Sequence, residues 1–268
     1  MRIRSVLLAL GLSLSLLPLA EAAGKCERLV ATGHPDQPPY LWRDPQNPQQ
    51  LIGASADLLK ALGQAVGVRI DIRHGGKPAA AIEEVRSGRV DLLLGSPAAF
   101  EGLTQFDYLY PAYAERTVAV WTLPERAPLF TRLEDLARHR GQALERASYP
   151  AAVRERLGRL QPPAAPLNGA ALQALLQGRQ DYLLMELKAG QMLLEQQGAI
   201  NSVVALQPAL GSESLHLALS HNSACNDAWL RGQLARQLSE LQRSGQMAQW
   251  LDDNRQRWIR QQAAAPKP

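Results

Sequence analysis

Two short apolar runs end on the residues best placed to do chemistry. Ser87-Gly88-Arg89-Val90-Asp91 leads into Leu92-Leu93-Leu94 and ends on Gly95-Ser96-Pro97. Ninety residues later, Gln177-Gly178-Arg179-Gln180-Asp181 leads into Tyr182-Leu183-Leu184-Met185 and ends on Glu186. A carboxylate at Glu186 suits a cationic or hydrogen-bond-donating partner, although an acid before Leu187 also suits a helix start for dipole reasons alone. Ser96 adds a hydroxyl among small neighbours. The histidines at 34, 74, 139, 216 and 221, taken with Ser96 and Ser148, show neither nucleophile-elbow nor metal-ligand spacing. His216 reads as a strand residue, and neither a metal nor another cofactor is expected.

The elements that would position these groups follow from the same stretches. Each copy reads as a helix, a glycine C-cap, a buried strand and a residue delivered at the strand's carboxyl end. Such short apolar strands flanked by helices suit a parallel sheet covered on both faces, with ligands at the strands' carboxyl ends. Two units predict two α/β lobes and a cleft in which Ser96 and Glu186 face one another.

The remaining chain fits this plan. Arg28–Thr32 reads as a strand, followed by the breaker-rich loop Gly33–Tyr40. Ser55 is expected to cap a helix bearing Leu58, Leu59, Leu62 and Val66, which Gly67 stops. Val68, Ile70 and Ile72 alternate as a strand. Eight of the fourteen aromatic residues lie between Tyr40 and Trp121, read mostly as packing beneath a crossover. Thr117–Leu123 and Gln142–Arg146 read as strands, and Pro150 as the first residue of a helix. Free N–H groups near Ser148 and Tyr149 are suited to an anion, or belong to an ordinary capped helix. A last long helix buries Leu230, Leu234, Leu238 and Leu241 and breaks at Gly245, after which Trp250 and Trp258 dock the tail.

Residues 1–22 read as a signal peptide, with Arg2 and Arg4 before an apolar run and Ala20-Glu21-Ala22 as the cleavage site. The mature chain is then exported and soluble, begins at Ala23, and carries 27 basic and 24 acidic residues. Its arginines are interspersed with glutamates, as in Arg154-Glu155-Arg156, so no basic stripe for nucleic acid is present. Two cysteines in an oxidising compartment predict one disulfide, Cys26–Cys225, in preference to two free thiols.

Taken in order, the export signal, Arg28–Thr32, Pro38-Pro39-Tyr40, Gly53–Gly67 and Ser87–Gly95 resemble the extracellular solute-binding proteins of family 3, receptors of amino-acid ABC importers. The resemblance implies a two-lobed periplasmic-binding-protein (Venus flytrap, type II) α/β fold with two hinge strands. Lobe 1 would comprise residues 23–114 and 215–260, lobe 2 residues 115–214, and residues 261–268 a disordered tail. The disulfide would then lie within lobe 1. The implied ligand contacts are His34, Asp36 and Gln37 in the loop before the Pro-aromatic motif, Tyr40 in that motif, Ser96 and Pro97 after the third strand, Ser148 and Tyr149 in lobe 2, and the lobe 2 carboxylate Glu186.

The family's carboxylate-gripping arginine is absent from its expected place, where Glu101-Gly102 stands in Ala98–Leu103. Phe or Glu cannot replace a bidentate guanidinium. With Asp36, Glu101 and Glu186 as candidate acids, a cationic or amine-bearing solute fits better than an ordinary α-amino acid. The expected protein is a monomeric periplasmic receptor that hands a small polar solute, amino acid-like or amine-bearing, to an ABC permease. Two alternatives use the same scaffold. One is a sensor subunit reporting to a membrane signalling protein; the other, less favoured, is a cyclohexadienyl dehydratase-like enzyme with Glu186 as general acid.

Overall fold

The computed structural model describes residues 26–264 except 131, 146–148 and 159, so the expected signal peptide and Ser148 lie outside the described residues. The chain opens with β1 (Arg28–Gly33), β2 (Asp36–Gln37), β3 (Leu41–Arg43) and β4 (Leu51–Ile52), then α1 (Ala54–Val66), β5 (Arg69–Ile72), α2 (Pro78–Arg86) and β6 (Leu92–Pro97). Next comes β7 (Phe106–Thr122), a single strand of 17 residues. The aromatic run at 106–113 is thus continuous with the strand expected at 117–123, rather than lying beneath a separate crossover. There follow β8 (Gly141–Leu144), α3 (Ala151–Leu157), β9 (Ala164–Ala165), α4 (Gly169–Leu176), β10 (Tyr182–Glu186), α5 (Leu187–Gln196) and β11 (Val204–Ala205). The chain ends with β12 (Gly211–Ser220), α6 (Ala228–Ser244) and α7 (Gln246–Ala264).

One mixed sheet runs in the order β5-β1-β6-β12-β7-β10-β8-β9, with β11 also on β7, while β2, β3 and β4 form a small sheet of their own. β7 carries the connection. Its residues 106–118 pair with β12, and 118–121 pair with β10. The packing divides on the two sides of this strand. Leu29, Leu58, Leu62, Leu92, Leu217 and Leu234 belong to one core. On the other side, β10 alternates with period two: Leu183 and Met185 enter one cluster, and Tyr182 and Leu184 enter another.

Asp91 and Asp181, the matching acids of the two repeats, are structural. Asp91 accepts the Val30 N–H at 2.7 Å and the Ser223 hydroxyl at 2.5 Å. Asp181 accepts the Arg140 N–H at 2.9 Å and pairs with the Arg126 and Arg140 guanidinium groups. Burial raises its pKa, but the Arg140 N–H and the two cations outweigh that and hold the carboxyl below the usual range.

Three local expectations change. The cap of α1 is Gly53, not Ser55: Gly53 has φ 132° and a Cβ there would meet the Tyr40 carbonyl oxygen at 2.4 Å. Ser55 lies inside the helix, its hydroxyl 3.1 Å from that of Tyr113. Pro150 stands at the N-cap of α3, one position before the helix. Residues 261–264, expected to be tail, continue α7, because Gln261 accepts the Trp42 indole N–H at 3.0 Å and Trp258 packs edge-on to Trp42. The Cys26–Cys225 disulfide is present and packs against the first core.

Candidate functional site

A cleft of about 770 Å³ lies between the loop after β1 on one side and the ends of β8 and β10 on the other. Glu186 lies at the junction of strand and helix. It is the last residue of β10 and the N-cap of α5, where its Oε2 accepts the Ala189 N–H at 2.7 Å. The helix-start role and the cleft position are therefore held by the same side chain, one oxygen each. Oε1 is 3.4 Å from the Tyr40 hydroxyl, which also reaches the Glu115 carbonyl at the shorter distance of 3.0 Å. A phenol has one proton to donate. With that proton on Glu115, Oε1 retains acceptor capacity toward the cleft. Burial pushes the Glu186 carboxyl above the ordinary range, opposed by the Ala189 and Lys188 N–H groups and by the charges of Arg116 and Lys188. The Tyr40 phenol is raised too, first by burial and then by Glu186.

The facing loop contributes His34, Asp36 and Gln37. His34 Nδ1 accepts the Asp36 N–H at 3.2 Å, so in the neutral ring the proton resides on Nε2. Burial lowers the His34 pKa, with Asp36 opposing and Arg116 assisting. The cleft also takes in Tyr149, whose hydroxyl donates to the Leu184 carbonyl at 2.5 Å and is thereby committed to the sheet. The helix that follows, α3, starts after Pro150 and has seven residues.

Six expected residues, His34, Asp36, Gln37, Tyr40, Tyr149 and Glu186, thus line one cleft. Ser96, Pro97 and Glu101 do not. The end of β6 is occupied from within: it pairs with β12 at His216 and Leu215, and the buried Tyr113 hydroxyl accepts the Gly95 N–H. Burial raises the Tyr113 phenol to about 12 despite these bonds. Glu101 lies in an exposed 3-10 turn at Phe100–Thr104.

Sequence reasoning missed Arg116, Glu145 and the far wall of the cleft. Arg116 projects from β7 and pairs with Glu213, its cross-strand partner on β12. Both side chains are nearly buried, at 12% and 14% exposure, and the Arg116 Nε has no hydrogen-bond partner. The adjacent charges Glu115-Arg116, in the middle of a mostly apolar and aromatic strand, were the available signal. Glu145 adopts φ 51° and accepts the Leu167 N–H at 3.1 Å. The far wall is one face of α5, through Ala189, Met192, Leu193 and Gln196, met by Trp258 and Gln262 of α7.

Solved structures share this fold. An ancestral cationic amino acid solute-binding protein (AncCDT-1) aligns at TM-score 0.64 and 19% identity, covering 87% of this chain and 96% of its own. A histidine kinase sensor domain with similarity to periplasmic binding proteins aligns at 0.59 and 22%, covering 85% and 97%. The amino acid ABC transporter substrate-binding protein AbpA from Streptococcus pneumoniae Canada MDR_19A, bound to L-arginine, aligns at 0.58 and 18%, covering 86% and 95%. No curated protein sequence matches. Residues 29–259 match the family that the fold and the cleft point to, and the chain belongs to the bacterial extracellular solute-binding proteins, family 3.

Proposed function

We propose that this protein is a periplasmic receptor that captures a cationic, amine-bearing solute between its two lobes and delivers it to an ABC permease. The observation that carries the reading is Oε1 of Glu186, which lines the cleft at the carboxyl end of β10 and has only a long 3.4 Å contact with the Tyr40 hydroxyl, leaving it acceptor capacity. Asp36 and Glu145 add two further carboxylates to the lining. Against them stand Arg43, exposed at the rim where a charge contributes little, and Arg116, neutralised by Glu213. A solute carboxylate would have to displace Glu213 to gain Arg116, whereas an ammonium group meets Glu186 with no such exchange. β7 and β12, the two strands that cross between the cores, serve as the hinge.

The same grip would serve a sensor subunit, and the histidine kinase sensor domain shares the fold; binding to a detergent-solubilised permease in a pull-down separates transport from sensing. An enzymatic role for Glu186 is disfavoured because its second oxygen is engaged as the α5 cap and because, among the described residues, the buried cation of the cleft lining, Arg116, is paired with Glu213. A thermal-shift screen of primary amines, α-amino acids and carboxylic acids tests the reading. Amines should raise the melting temperature of wild type and not of Glu186→Gln. Stabilisation by carboxylic acids alone would overturn it.

A further inference from the structure

We infer that the solute is a primary amine carrying an extended apolar body, its ammonium at Glu186 and its tail laid along α5 toward Trp258. This rests on the cationic reading of Glu186 and adds the nature of the rest of the molecule. Ala189, Met192, Leu193 and Gln196 recur at helical spacing on the one face of α5 that lines the cleft, beginning three residues after Glu186. At a rise of about 1.5 Å per residue, the run from Glu186 to Gln196 is about 15 Å long.

Chemistry changes along that run. At the Glu186 end stand the polar groups of Tyr40, His34 and Arg116. Farther along the α5 face come Met192 and Leu193, with Trp258 of α7 meeting that face and the amides of Gln196 and Gln262 also in the lining. The far end is fixed in place. The ion pair of Arg255 with Glu195 ties α7 to α5, Asn254 donates to Asp57 of α1 at 2.7 Å, and Trp258 stands edge-on to Trp42 with centroids 5.5 Å apart.

This apolar stretch gives a short polar solute nothing to bind. A volume of about 770 Å³ is in the range of small-molecule sites, so the cleft has room for a body beyond the ammonium group. An unbranched or arylalkyl chain buries apolar surface there while its ammonium stays on Glu186. Tail burial should tighten binding about fourfold per added methylene until the tail reaches Gln196.

The test is calorimetric titration of the mature protein with n-alkylamines from methylamine to octylamine, and with n-alkanols of matching length. The inference expects affinity for the amines to climb with each methylene, and Trp258→Ala to flatten the climb for the longer members while methylamine binding holds. Wild type needs no variant to decide the main point: amines that bind through Glu186 with no dependence on length would overturn the apolar tail and leave the cationic reading standing. Alkanols that show the climb, with amines gaining nothing over them, would retain the apolar subsite and overturn the ammonium. Should Trp258→Ala fail to fold, Met192→Ala takes its place, with the same expected flattening.

Discussion

The two repeats begin alike and end differently. In both, the aspartate before the strand binds the backbone N–H of a neighbouring chain segment, Val30 for Asp91 and Arg140 for Asp181. At the strand's far end the likeness stops. The end of β6 is filled by the protein's own Tyr113, which takes the Gly95 N–H, whereas the end of β10 delivers Glu186 into a cleft. A strand's carboxyl end is a place where a site can be built, and the chain that crosses it decides whether one is. Here that chain is the bulge of β7 at Tyr110–Tyr113, where several residues face His216 alone on β12.

The largest contrast is covalent. The first core carries Cys26–Cys225, and among the described residues the second has no counterpart. Reduction closes no new loop and opens a long one, a loss on the order of 5 kcal/mol in the chain-entropy account. Hydrogen exchange resolved by peptide should show protection falling in β1 and α6 and holding in β10. Equal loss in both would mean the two cores unfold as one unit.

The shared aspartates come next. Asp181→Ala and Asp91→Ala should each cost about 1.5–3 kcal/mol, the range for hydrogen bonds to a charged group, read by urea denaturation. The pH dependence has a definite sign for Asp181. Its folded pKa is depressed, so its contribution is complete above the unfolded value of about 3.9 and is lost as pH falls through the folded value. Asp181→Asn should therefore be less destabilised by acid than wild type, relative to its own neutral-pH stability. An unchanged acid profile would remove the aspartate from that role.

The smallest effect concerns the filled strand end. Tyr113→Phe deletes the partner of Ser55 and Gly95 and should cost about 1 kcal/mol of stability. It should leave solute affinity unchanged. A variant that binds its solute differently would mean that β6 contributes to the site after all.

The sequence carried the local signals well. Gly67 and Gly245 end their helices in the left-handed conformation, Asp227 caps α6, and the apolar runs at 92–94 and 182–185 are the buried strands. What it hid were facts of assembly. Ser55 matches the composition of a cap, but close approach of the Tyr40 carbonyl requires glycine at 53. The spacing of Ala189, Met192 and Leu193 marks a helix face without saying whether it meets core or cleft. Arg116 becomes legible only with Glu213 beside it, and that pairing is set by the register of strands 97 residues apart. Trp258 could be read as docking the tail, and it does, yet the same ring borders the cleft.

The central claim is that Glu186, and not the equivalent end of the first repeat, holds the solute. Isothermal titration of one amine, hexylamine, into wild type, Glu186→Gln and Ser96→Ala tests it directly. Removing the charged partner should cost roughly 2–5 kcal/mol of affinity in Glu186→Gln, while Ser96→Ala binds like wild type. Equal affinity in Glu186→Gln and wild type, or a comparable loss in Ser96→Ala, would contradict the account.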